Sequence, residues 1–114
     1  MTAPLIELSK LEKTLTEFAQ ARNWTQFHSP KNLAMALTGE VGELVEIFQW
    51  LSEAESKLVA HHPHTSEAVR DELADVFIYL VRMAQVLEVD LNQAITQKLQ
   101  KNAHKYPAII SPDA

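Results

Sequence analysis

Apolar residues recur at spacings of three and four over four stretches of the chain, the pattern of helices with one buried face. In the first stretch Leu5, Leu8, Leu11, Leu15, Phe18 and Ala19 share a face. A helix is predicted there from Pro4 to Arg22, with Pro4 in the first turn, where its missing N–H costs nothing. Ser29-Pro30 then reads as an N-cap followed by a first helical residue. It opens a second predicted helix reaching about Leu58, with Leu33, Leu37, Val41, Leu44, Phe48 and Leu51 as its stripe. His61-His62-Pro63-His64 interrupts the pattern. Thr65 or Ser66 caps a third helix from about Glu67 to Glu88, its stripe formed by Val69, Leu73, Val76, Leu80 and Leu87. Phe77, Ile78 and Val81 lie off that stripe, so Val76 to Ala84 is apolar nearly all round. Such a helix is covered on every side, by its own bundle or by a second subunit. Asp90 with Gln93 three residues on resembles a capping box and opens a fourth helix, Leu91 to about Tyr106, stopped by Pro107. The reading is an all-α, four-helix bundle-like domain over residues 1–107 and a patternless C-terminal tail over 108–114.

Composition narrows the class. At 114 residues the chain fits one domain, and 46% hydrophobic residues exclude disorder. Two glycines and five prolines are too few for the many turns of a β-sandwich or barrel. Ten Lys+Arg against fifteen Asp+Glu give a formal charge of −5, which speaks against gripping a nucleic acid backbone. The absence of cysteine removes disulfides, thiol catalysis and cysteine-ligated zinc. The longest apolar run, Val76 to Val81, falls far short of the ~20 residues that span a bilayer. Met1-Thr2-Ala3-Pro4 has no targeting character, so the expected compartment is the cytoplasm.

Carboxylates stand where apolar residues are expected. At 100° per residue from Leu33, Glu40 falls at roughly 340°, inside the second helix's stripe, and Glu43 at roughly 280°, on its edge. On the third helix Glu72 borders the stripe, Asp75 follows three residues later, and Tyr79 continues the same flank. Each helix thus offers two acids on one surface patch. If the helices pack antiparallel, four carboxylates converge and repel unless a cation joins them. All-oxygen ligation suits Mg²⁺ or Mn²⁺. Di-iron ligation needs Glu-x-x-His, and no Glu here has His at i+3. The competing reading is a solvated charged face, which fits Glu46, Glu53 and Glu55 well and Glu40 poorly.

Other residues carry two readings each. Lys98, Asn102 and Tyr106 lie at i, i+4 and i+8 of the fourth helix, with Lys105 nearby: a cation, an amide and a phenol for phosphate and base, or residues left in water. Trp50, Trp24 and Phe27 are stacking partners for a nucleobase or parts of a core. His28 is a base or phosphate contact or a structural hydrogen-bonding residue. His61, His62 and His64 read as a solvated loop before they read as a metal tract.

These residues resemble the MazG-like all-α nucleotide pyrophosphohydrolases, and most closely the dCTP pyrophosphatase group. The family motif, Glu-x-x-Glu, a spacer, then Glu-x-x-Asp, is matched by Glu40-Val-Gly-Glu43, 28 intervening residues, and Glu72-Leu-Ala-Asp75. Around it, Asn23-Trp24-Thr25-Gln26-Phe27-His28, Phe48-Gln49-Trp50, Ile78-Tyr79-Leu80-Val81, Val89-Asp90-Leu91 and Tyr106-Pro107 follow the same pattern, so that the similarity runs from about Leu11 to Pro107. The resemblance implies that Glu40, Glu43, Glu72 and Asp75 hold Mg²⁺. It places Trp24, His28, Trp50 and Tyr79 around the nucleoside, and Lys98, Asn102 and Tyr106 at phosphate or sugar. It implies a homotetramer built as a dimer of dimers, with sites beside subunit interfaces. Two departures bear on base preference and on the lid. Close eukaryotic members carry His where this chain has Leu15, and Ser52 to Ser66 lacks their Gly/Pro-rich character.

The expected activity is hydrolysis of a deoxynucleoside triphosphate, dCTP first and dATP second, to the monophosphate and pyrophosphate, for pool control or nucleotide house-cleaning. Glu43 or Glu46 would activate the water, and Glu72 is counted with them as catalytic. The alternatives are a non-catalytic nucleotide-sensing or partner-binding module, and a structural bundle whose carboxylates pair with Arg70 or Arg82.

Overall fold

The computed structural model describes residues 3–109, and every described element is helical. Helix α1 spans Ser9–Ala21, a 3₁₀ turn Thr25–Phe27, α2 Pro30–Phe48, α3 Glu53–Ser56, α4 Ser66–Val86 and α5 Leu91–Lys105. The all-α expectation is met, with one helix more than the periodicity gave. From residue 110 on, the predicted tail lies outside the described residues.

The first helix starts later than its apolar spacing implied. Residues 4–8 are not helical, and two of their backbone donors are bound by α5. Asn92 Oδ1 on α5 accepts from the N–H groups of Leu5 and Ile6 at 2.8 and 3.2 Å. The Glu7 carboxylate accepts from Ser9 N–H. The second helix ends earlier than predicted, at Phe48. Ser52 Oγ accepts from Glu55 N–H at 3.1 Å and Glu55 returns the bond to Ser52 N–H at 2.9 Å, a full capping box that starts α3 afresh.

The other boundaries follow sequence signals. Ser29 Oγ accepts from Asn32 N–H with Pro30 at the first helical position, and Asp90 Oδ1 accepts from Gln93 N–H. Thr65 precedes α4, but its hydroxyl donates to Val59 O instead of capping. Both α1 and α4 end in a Schellman turn. Trp24 N–H reaches Ala19 O over left-handed Asn23 (φ 57°), and Val89 N–H reaches Ala84 O over left-handed Glu88 (φ 58°). The first of these turns the chain so that Trp24 packs edge-on against Phe18, ring centroids 5.6 Å apart.

Helices α2 and α4 are the main packing pair, and α1 lies against α4 and the 3₁₀ turn. The core is thin: Leu33 and Val81 are its largest fully buried side chains, with Ala19, Val59, Val69 and Ala84 around them. Among the described residues helix α5 packs closely on no other helix, so the single chain does not close the predicted bundle. Its radius of gyration is 17.9 Å, against about 13 Å for a compact chain of this length. Apolar side chains stay uncovered on both central helices, among them Val41, Val45, Leu73, Phe77 and Leu80.

Candidate active site

The α2–α4 pairing brings the two acidic motifs together. Glu40, Glu43 and Glu72 each present an oxygen, and these oxygens all lie within 4.8 Å of one another. Glu40 and Glu72 are half-buried and Glu43 is exposed. One oxygen of Glu40 and one of Glu72, their Oε2 atoms, are buried with no hydrogen-bond partner. Burial pushes the Glu40 carboxyl up to about 7, helped by its contacts with Glu72 and Glu43 and by the charges of Glu43 and Asp75. Burial also raises Glu72, with Glu43 and Asp75 adding to the effect and the contact with Glu40 opposing it.

Every neighbouring group that perturbs this cluster is itself a carboxylate. The salt-bridged alternative therefore fails: Arg82 bonds elsewhere, and Arg70 is not among the groups that act on the cluster. Two buried, orphaned oxygens facing other acids are an incomplete set of partners. A hard divalent cation fits what the donor set lacks, since it binds several carboxylate oxygens at once.

Asp75, half-buried on α4, lines a cavity of about 250 Å³ beside the cluster. Leu33 and Ala19 contribute apolar surface to this cavity. Trp24, Phe18, His28 and Tyr79 supply its rings, and Leu15, Ile78 and Arg82 complete it. Trp24 and His28 are held by the turn between α1 and α2, where Asn32 Nδ2 also donates to Phe27 O at 3.0 Å. An aromatic, largely apolar slot that opens onto acids suits a flat base carried on a phosphate chain.

Other candidates lie apart. Trp50 follows α2 in a turn, is 87% exposed and does not line the cavity. Glu46 is exposed one turn beyond Glu43 and outside the three-oxygen set. Lys98 and Asn102 sit on α5 and Tyr106 just past its end; none of them lines the cavity, and Lys105 Nζ lies over the Tyr106 ring. His61, His62 and His64 are exposed and do not assemble as a metal set among the described residues.

Sequence reasoning missed Arg82 as a part of this cavity. It is only 7% exposed, donates from Nε to His28 Nδ1 at 3.0 Å and from Nη1 to Gln85 Oε1 at 2.7 Å. The signal was present as one cation inside the apolar run from Val76 to Ala84.

Known proteins resemble this chain in sequence and in fold. Residues 36–112 match the model of the MazG-like family. The chain is 45% identical over 109 residues to dCTP pyrophosphatase 1 of Rattus norvegicus, covering 96% of this chain and 64% of that one. It is 43% identical over 106 residues to dCTP pyrophosphatase 1 of Homo sapiens, covering 93% and 62%. The chain therefore spans somewhat less than two-thirds of the length of these relatives. A crystal structure of a pyrophosphatase from Archaeoglobus fulgidus has a TM-score of 0.82 and 38% identity, covering 95% of this chain and 99% of that one.

Proposed function

The chain belongs to the MazG-like family, and we propose that it hydrolyses a deoxynucleoside triphosphate, dCTP first, to the monophosphate and pyrophosphate. The observation that carries the proposal is the orphaned Glu40 and Glu72 oxygens next to an aromatic cavity lined by Asp75, which stands outside the three-oxygen set but whose charge acts on it. The names of the relatives, dCTP pyrophosphatase 1 and a pyrophosphatase, support the same bond and base.

In this reading Trp24, His28 and Tyr79 hold the base, and Leu33 and Phe18 keep water from its faces. Glu40, Glu43, Glu72 and Asp75 hold Mg²⁺ or Mn²⁺. A bound divalent ion supplies charge neutralisation to the phosphate oxygens. Glu43 and Glu46 are exposed, so solvent reaches both. One of them orients a water toward the α-phosphorus and takes its proton. The new P–O bond forms as the α–β anhydride breaks, and pyrophosphate leaves. No covalent intermediate is needed, since phosphoryl transfer rests on positioning and electrostatics.

The proposed assembly is a homotetramer, a dimer of dimers. The uncovered Val41, Val45, Leu73, Phe77 and Leu80 and the loosely held α5 support it. In that assembly Lys98, Asn102, Tyr106 and Trp50 complete a site from a neighbouring copy. The proposed compartment is the cytoplasm, and among the described residues no helix is long and apolar enough to cross a membrane.

The test is incubation of the pure protein with each dNTP and NTP plus Mg²⁺ or Mn²⁺, with products resolved by chromatography. Deoxynucleoside monophosphate and pyrophosphate are expected. Diphosphate with free phosphate would place cleavage at the wrong bond. No product from a folded protein would favour the non-catalytic nucleotide-binding module.

A further inference from the structure

The buried Arg82 does more than fill space. Its guanidinium donates to three side chains and forms no ion pair among the described residues, although Asp75 lines the same cavity: Nε to His28 Nδ1 at 3.0 Å, and Nη1 to Gln85 Oε1 at 2.7 Å and to Thr16 Oγ1 at 3.4 Å. Gln85 is fixed in turn. Its Nε2 donates to Glu12 O at 3.0 Å and to Thr16 Oγ1 at 2.6 Å, on α1. A backbone carbonyl only accepts, so the amide nitrogen must face Glu12 and the amide oxygen must face Arg82. The orientation is thus handed from α1 through Gln85 to Arg82 and on to His28.

The last bond has a chemical consequence. Arginine donates and cannot accept, and it does not lose its proton in proteins. The His28 Nδ1 that receives its N–H must be bare. A neutral imidazole then carries its proton on Nε2. Burial, with the charge of Arg82 beside it, lowers the His28 pKa and so favours the neutral ring. Nε2 makes no hydrogen bond among the described residues, and His28 and Arg82 both line the aromatic cavity.

We propose that Arg82 is a positioning residue that locks His28 in the Nε2–H tautomer, so that the cavity offers this N–H as a donor to a base. The complementary atom on the ligand is an acceptor, a ring carbonyl oxygen or an unprotonated ring nitrogen. A base edge that presents only an amino group is disfavoured there, because it would set donor against donor. The role in catalysis rests on the hydrolase reading above, whereas the tautomer does not.

The experiment uses the full chain, ¹⁵N-labelled, with His28 imidazole resonances identified by their loss in His28→Gln. In the wild-type protein without nucleotide, His28 shows bare Nδ1 and protonated Nε2. Arg82→Met mixes the tautomers. With dCTP and Mg²⁺ it raises KM about tenfold, the value of one hydrogen bond, while kcat changes less than about threefold. Arg82→Lys keeps the charge and a donor, and falls between wild type and Met in both readouts. It also replaces the Met variant if that one does not fold. A wild-type His28 protonated on Nδ1 or on both nitrogens would overturn the proposal. So would variants that keep the pure tautomer and the wild-type KM, or that lose kcat and KM together without tautomer change, which marks a purely structural role. Absence of turnover with any nucleotide would sink the hydrolase reading and leave the resonances to decide the tautomer.

Discussion

Replacing Glu40 by Gln should stabilise the metal-free protein at pH 8. The three-carboxylate set has oxygens within 4.8 Å of one another. Two full charges at that separation repel by about 3.5 kcal/mol at an effective dielectric of ~20. The climb of the Glu40 carboxyl from its ordinary 4.5 to about 7, driven first by burial and then by the neighbouring acids, corresponds to a similar energy. Solvent reaches part of the cluster, and screening leaves about 1–2 kcal/mol. The sign follows from which state holds more protons. Between 4.5 and about 7 the folded protein binds a proton on Glu40 that the unfolded chain has lost, so stability falls as pH rises through that window. The substituted side chain has no charge to repel, and its amide can donate to the orphaned Glu72 oxygen. With an unfolding entropy of ~0.24 kcal/mol/K for a chain of this length, Tm should rise by roughly 4–8 °C in the variant. The assay is thermal unfolding in EDTA at pH 5 and pH 8, repeated with Mn²⁺ at pH 8. The gap should close at pH 5, where wild-type Glu40 carries its proton, and reverse with Mn²⁺, which stabilises only a protein able to bind it. A variant that melts at or below wild type in EDTA at pH 8 would refute the idea that the cluster is held together against its own charge.

Three further outcomes are expected. Glu72→Gln should lower metal-dependent turnover by on the order of 10²-fold or more while circular dichroism stays helical, and retained turnover would remove Glu72 from the site. Leu33→Ala deletes a side chain that is 2% exposed and should cost about 2–4 kcal/mol in denaturant unfolding; a loss below about 1 kcal/mol would mean the core is organised elsewhere. Glu88→Gly relieves a left-handed backbone at φ 58° and should stabilise by about 1 kcal/mol in the same assay, an unchanged midpoint counting against strain at that turn.

Much of the site was legible because its chemistry violates the helix pattern. Glu40 stood inside an apolar stripe, and that conflict alone pointed to the cluster. Ser29-Pro30 and Asp90 with Gln93 were readable because capping is local. The end of α2 was missed because Leu51 and Leu58 continue its apolar spacing past the point where Ser52 and Glu55 cap a new helix. The start of α1 was missed because Leu5 and Leu8 carry its apolar spacing back beyond its first turn, while Asn92, 86 and 87 residues away, holds the backbone of Ile6 and Leu5. Periodicity reports that a face is buried without saying by what. The position of α5 and the bonds linking Arg82 to His28 and Gln85 were therefore out of reach.

Asp75 belongs to two neighbourhoods at once, since its charge perturbs Glu40 and Glu72 while its side chain lines the aromatic cavity. A shared wall makes the two occupancies thermodynamically reciprocal. By whatever factor a cation in the acidic set changes the affinity for a base in the cavity, the base must change the affinity for the cation by the same factor. Bases that couple differently to the cation would then differ in the metal concentration each nucleotide requires, so a ranking of substrates made at saturating metal does not carry over to scarce metal.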